Sequence, residues 1–191
     1  MNSTVKTDQG HRAEEGIWIF IFADMCMFGI FFITFMYERL KSPALYIESQ
    51  LQLNQALGMI NTLVLLISSW FVVLATRALH RGRPKYSSLF LGLAFFCGAV
   101  FVVNKVIEYS EKIEQGISIL TNDFFMFYYV LTGIHLAHVL GGMVVLFVLM
   151  RKLKNSSFQK TGISTVEGGA IYWHMVDLLW ILIFPLIYFL R

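Results

Sequence analysis

A chain of 191 residues in which 57% are hydrophobic and only 14% charged, with a mean hydropathy of +0.66, is not composed like a soluble domain. It reads as a polytopic membrane protein. The net charge of +3 is spread thinly, and no basic helix, Gly-rich phosphate loop or aromatic–basic interleaving argues for nucleic acid. The expected fold class is all-α, a membrane bundle of five transmembrane helices. In lipid only helices and closed barrels satisfy their own backbone, and these apolar runs do not alternate as barrel strands would.

Residues 1–15 are polar and lack an apolar signal core, so no cleaved signal peptide is expected. The first span serves as its own insertion signal. The chain then divides into a polar N-terminal segment, 1–15, and a single membrane domain, 16–191. Five runs reach the roughly 20 residues needed to cross the hydrocarbon: 16–37, 56–78, 88–109, 124–150 and 166–190. The connections are short and carry turn formers and charges, as in Arg83-Pro84-Lys85 and Lys154-Asn155-Ser156-Ser157. No internal repeat is evident, which weighs against an inverted-repeat transporter. Cys26 and Cys97 fall inside spans without a CxxC or metal spacing, and read as small hydrophobes.

Ten Lys and Arg fall on one side of the membrane: Lys6, Arg12, Arg77, Arg81, Arg83, Lys85, Arg151, Lys152, Lys154 and Lys160. Arg39, Lys41, Lys105, Lys112 and Arg191 fall on the other. The positive-inside rule places the N-terminus in the cytoplasm and the C-terminus outside.

Ionisable groups inside spans are rare and are functional hypotheses by default. The first span holds Asp24. The second carries Asn61, Thr62, Ser68 and Ser69, read as interhelical hydrogen bonders. The third ends with Lys105 and Glu108, three apart and able to pair, either as an interfacial rim or in a specific role. In the fourth, Gly133, Ala137 and Gly141 recur every four residues, a stripe expected to admit a close neighbouring helix, while His135 and His138 point away from it. Each His is expected to donate to a carbonyl or carboxylate, with a metal site as the alternative. In the fifth, Glu167, His174 and Asp177 share a face, with Trp173 and Trp180 beside it. At about 1.5 Å per residue, Asp24, His138, His174 and Asp177 lie at similar depths, so one polar cluster is expected.

These residues resemble a known family. Asn61-Thr62-Leu63, Ser68-Ser69, Glu108-Tyr109, the run Thr132-Gly133-Ile134-His135-Leu136-Ala137-His138-Val139, and Glu167 followed by Tyr172-Trp173-His174-Met175-Val176-Asp177 and Trp180 look like subunit III of the haem-copper terminal oxidases, in order, across about residues 14–190. The resemblance implies a non-catalytic accessory subunit that carries no cofactor or metal itself. Haem and copper belong to the partner subunits I and II. Phospholipid is held in a cleft between the first two helices and the rest of the bundle, and the subunit stabilises subunit I and its proton-uptake side. Five helices match the short members, which lack two N-terminal helices. Asp24 stands where the family commonly has a carbodiimide-reactive Glu. Candidates for the lipid cleft or polar cluster are Asp24, Glu108, His135, His138, Glu167, His174 and Asp177. The opening Gly16-Ile17-Trp18-Ile19-Phe20 with Asp24-Met25 also resembles the NorE-like accessory proteins of nitric oxide reductase. The compartment implied is a bacterial inner membrane.

Two other classes compete. A di-haem enzyme needs ligand pairs about 13–14 residues apart on each of two helices, a span of roughly 20 Å, whereas His135 and His138 are about 4.5 Å apart along the axis. A proton-coupled transporter would use Asp24, His174 and Asp177, but shows no broken helices.

Overall fold

The computed structural model describes residues 4–155 and 162–190, and six helices account for nearly all of them: α1 Thr4–Lys41, α2 Pro43–Leu51, α3 Gln55–His80, α4 Pro84–Glu114, α5 Asp123–Lys152 and α6 Ile163–Tyr188. Five are long and apolar enough to span a membrane: Trp18–Lys41 within α1, then all of α3, α4, α5 and α6. They fall within a few residues of the expected spans. The chain is therefore an all-α, multi-pass membrane protein. The side chains of Lys6, Arg12, Lys160 and Arg191, which entered the expected orientation, lie outside the described residues.

Two turns are set by glycine. α3 ends where Gly82 adopts φ +66°, with Arg83 N–H donating to the Ala78 carbonyl and Gly82 N–H to that of Leu79. α4 ends in the same way at Gly116, φ +76°, with Ile117 N–H reaching the Lys112 carbonyl. Each is a left-handed cap that satisfies carbonyls the helix leaves open. Pro84 then starts α4 at a position where a missing N–H costs nothing. α3 and α5 begin at Asn54 and Asn122, whose side chains accept from Leu57 N–H and Phe125 N–H.

α6 lies at the centre, against α3 and α5, while α3 packs broadly on α4 and α1 touches mainly α5 and α6. Half of the apolar window of α6 is buried, against 17% of that of α1. Trp173, Val176, Leu179, Trp180, Ile183, Ile187 and Tyr188 of α6 form the core with Phe101, Tyr128 and Leu131.

The short helix α2 was not expected. It closes one end of the bundle. Gln50 donates to the carbonyl of Ile187 at 3.0 Å, and Gln55 to that of Tyr188 at 3.0 Å. These are the last carbonyls of α6, which have no partner further along their own helix. Asn122 donates to Ser49. Tyr46 of α2 is enclosed by Phe35 and Phe124, and burial pushes its phenol up to about 12.

The fourth span packs with the face opposite to the one expected. Ala137 and Gly141 are exposed, and nothing lies within 4 Å of a Cβ built on Gly133. The close approach is at Gly142 instead, where a Cβ would stand 2.6 Å from the Trp173 ring. Within this chain the small-residue stripe faces outward, because the bulky Trp173 needs the missing Cβ on the inner face.

Candidate functional site: buried polar groups of the bundle

The second-span hydroxyls and amides do what their types suggest. Asn61 accepts from Asn104 at 2.8 Å and Thr62 from the Trp180 indole at 3.0 Å. Ser68 accepts from the Trp173 indole at 3.1 Å and donates to the Ala94 carbonyl. Ser69 lies 2.7 Å from His174 Nδ1. α3 is thereby tied to α4 and α6 along its length. Hydrogen bonds of this kind between membrane helices contribute about 0.6–2 kcal/mol each.

Lys105 and Glu108 pair, but not as a rim. Their side chains are 0% and 1% exposed, with Nζ 2.9 Å from Glu108 Oε2. Nζ also lies 3.4 Å from the Tyr128 hydroxyl and 3.3 Å from that of Tyr188. An ammonium has three protons, and each has an acceptor here. Tyr188 donates to the second oxygen of Glu108. The rings of Tyr109 and Tyr128 stand about Nζ at 5.0 and 4.9 Å, within range of a cation–π attraction. Burial is possible because α4 continues to Glu114, so both residues sit inside the bundle rather than at its edge.

The expected four-residue cluster resolves into two separate groups. In the first, His138 of α5 places Nε2 2.8 Å from Asp24 Oδ2 of α1, and Nδ1 2.8 Å from the Ile134 carbonyl. A carbonyl can only accept, so Nδ1 carries a proton. Nε2 and the Asp24 carboxylate are within ion-pair range but are not aligned as a hydrogen bond. In the second group, His174 faces Ser69 beside Asp177, which is 3% exposed with no hydrogen-bond partner at either oxygen. The two groups separate because Asp24 and His138 meet where α1 crosses α5, whereas His174 and Asp177 face α3. Tyr172 links towards the first group by donating to the His138 carbonyl at 3.3 Å.

His135 departs from the expectation that it donates to a neighbour. It is fully buried, stacked on Trp180 at 5.2 Å and edge-on to Phe101 at 5.6 Å, with neither ring nitrogen hydrogen-bonded. Glu167 lies 3.1 Å from His80 Nε2, with both side chains about half exposed. These two, with Trp18, Arg77, Arg81 and His174, line an open cavity of about 660 Å³ at the end of the bundle remote from α2.

Among the described residues, no three His, Cys, Asp or Glu side chains converge as metal ligands would. Both cysteines are free, Cys26 on the exposed surface of α1 and Cys97 half-buried. Nothing in the spacing marks Tyr128 and Tyr188, because tyrosines near span ends usually mark the membrane interface. The signal that could have found them was Lys105, a charge that deep requiring several acceptors.

The comparisons agree with this picture. The family model for cytochrome c oxidase subunit III matches residues 2–191. The chain is 30% identical to cytochrome c oxidase subunit 3 of Synechocystis sp., covering 100% of this chain and 84% of the relative. It is 29% identical to quinol oxidase subunit 3 of Bacillus subtilis, covering 96% and 89%. It is 25% identical to cytochrome bo(3) ubiquinol oxidase subunit 3 of Pseudomonas aeruginosa, covering 95% and 86%. A five-span bundle with its ionisable groups turned inward, matched along its whole length by one family, belongs to the cytochrome c oxidase subunit III family.

Proposed function

We propose that this chain is the accessory subunit III of a haem-copper terminal oxidase in a bacterial inner membrane, with its N-terminus in the cytoplasm. The observation that carries the reading is the family match over residues 2–191. The relatives named above are subunits of cytochrome c or quinol oxidases. The buried polar groups support a scaffold, since most of them bond helix to helix. Haem and copper then reside in partner subunits I and II. The outward stripe of Gly133, Ala137 and Gly141 suits close approach of a partner helix, and the exposed apolar face of α1, with Phe22 and Ile33 each 72% exposed, suits phospholipid. The Asp24–His138 pair and the basic residues Arg77 and Arg81 lie towards the proposed cytoplasmic side, where they would support proton uptake by subunit I.

The test is purification of the tagged protein from its own membranes in mild detergent, with a reduced-minus-oxidised spectrum and identification of the co-eluting chains. Haem appearing only with a large oxidase subunit is the expected result. Stoichiometric haem or copper on this chain alone, or co-elution with nitric oxide reductase instead, overturns it. In the assembled complex, Asp24→Ala should leave the haem spectrum unchanged while shortening sustained turnover. Loss of a haem band in that variant would count against an accessory role.

A further inference from the structure

Arg77, in the last turn of α3, and Arg81, its C-cap, are four residues apart and share a face. Both line the open cavity of about 660 Å³, and both also line a smaller one of about 280 Å³ beside it. Neither forms an ion pair among the described residues. The acid in the wall of the larger cavity, Glu167 of α6, lies 3.1 Å from His80 Nε2 of α3. His174 of α6 is engaged with Ser69. Cations at other helix ends are answered within the chain: Lys41 by Glu38, Lys112 by the Gln52 carbonyl and Gln115, and Arg151 by the ring of Phe147.

The positive-inside rule accounts for arginines on this side of the membrane. It does not account for two of them lining one cavity whose acid is already taken. A guanidinium is a planar fork that takes two oxygens of one anion at once. Two forks one turn apart suit a phosphate, with its three strong acceptor oxygens, better than a carboxylate with two. The larger cavity exceeds what a bare phosphate fills and falls in the range of roughly 300–1,000 Å³ found for whole organic molecules. Trp18 of α1, with Ala170 and Ile171 of α6, gives it an aromatic and apolar wall.

We propose that this cavity is a phosphate-ester site, with the phosphate on Arg77 and Arg81 and the organic part against Trp18, Ala170 and Ile171. The ester is either the headgroup of a lipid in the adjoining leaflet or a free phosphate monoester from the aqueous side. Basic pockets between membrane helices take anionic headgroups in the first way, and both sources present the same chemistry to the same two forks. The site depends only on how α1, α3 and α6 meet, and not on which complex the chain serves.

Two measurements on the purified complex test it: phosphorus retained after washing in lipid-free detergent, and binding of added AMP by equilibrium dialysis. Arg77→Gln with Arg81→Gln should lose about one phosphorus per chain, or bind AMP about tenfold or more weakly. A loss confined to chloroform-soluble phosphorus assigns the site to a lipid headgroup. Weaker AMP binding without that loss assigns it to a free ester. Arg77→Lys with Arg81→Lys keeps the charges that orient the span, and stands in if the glutamine variant fails to assemble. It should show the same change to a smaller degree, since lysine offers a point charge rather than a fork. Arg83→Gln, at the smaller cavity alone, should leave both readings unchanged. An equal loss in Arg83→Gln overturns the proposal, as do phosphorus and AMP binding that stay unchanged in the double variants.

Discussion

Lys105 and Asp177 are both ionisable side chains enclosed by the same five helices, and their surroundings could hardly differ more. Lys105 has an acceptor for each of its three protons, one carboxylate and two phenols. Neither oxygen of Asp177 has a hydrogen-bond partner, and the nearby Ser69 hydroxyl of α3 is engaged with His174. The first site is closed on all sides, whereas the second adjoins a cavity through His174. A fully satisfied polar network fixes one arrangement of the helices, while an unpartnered buried polar group costs stability. Burial alone therefore does not tell a satisfied polar group from an unsatisfied one. The count of partners does.

The largest effect should come from breaking the closed site. Lys105→Met leaves Glu108 buried without its counterion, and the expected loss is about 3–5 kcal/mol, read as a lower unfolding temperature in detergent. The double variant Lys105→Met with Glu108→Gln should recover much of that loss. If the double variant is no better than the single, the pair is not the unit that matters. A second, smaller effect tests whether the helix carrying Asp177 is held rigidly. Gly142→Ala places a Cβ against Trp173, whose indole is tied to Ser68 and cannot swing away, at an expected cost of about 1–3 kcal/mol by the same melt. Ala137→Leu comes next. Its site is exposed, so the unfolding temperature of the chain should not move, while the amount of assembled complex should fall. Normal assembly would sink the partner-facing role of that stripe. Asp177→Asn should change stability least, by under about 1 kcal/mol, because an amide replaces a group that makes few bonds. A large loss would mean that Asp177 is a structural ion after all.

The spans were legible because about 20 apolar residues in a row have few other fates, and the α3 hydroxyls were legible because their chemistry in lipid leaves them only other helices. The pairing of Asp24 with His138 was half-visible. Depth along the axis placed them level, but depth says nothing about azimuth, so His174 and Asp177 were drawn into the same cluster although they face α3. The stripe of Gly133, Ala137 and Gly141 was legible as a pattern but not as a contact, since spacing cannot say whether another helix of this chain approaches it. α2 left almost no trace, being nine residues long, and its role in capping α6 depends on Gln50 meeting carbonyls more than 130 positions away.

The spacing of Lys105 and Glu108 has a consequence for how the chain reaches the membrane. Helices are delivered to the bilayer in order, and α4 emerges before the parts of α5 and α6 that carry Tyr128 and Tyr188. A lone lysine at a helix centre costs roughly 2.5–3.5 kcal/mol on insertion scales. With its carboxylate one turn away on the same helix, α4 travels with its counterion aboard, and the phenols need only complete a site that is already neutral. A glutamate placed on a later helix would build the same final centre, but would leave the lysine exposed to lipid until synthesis had finished.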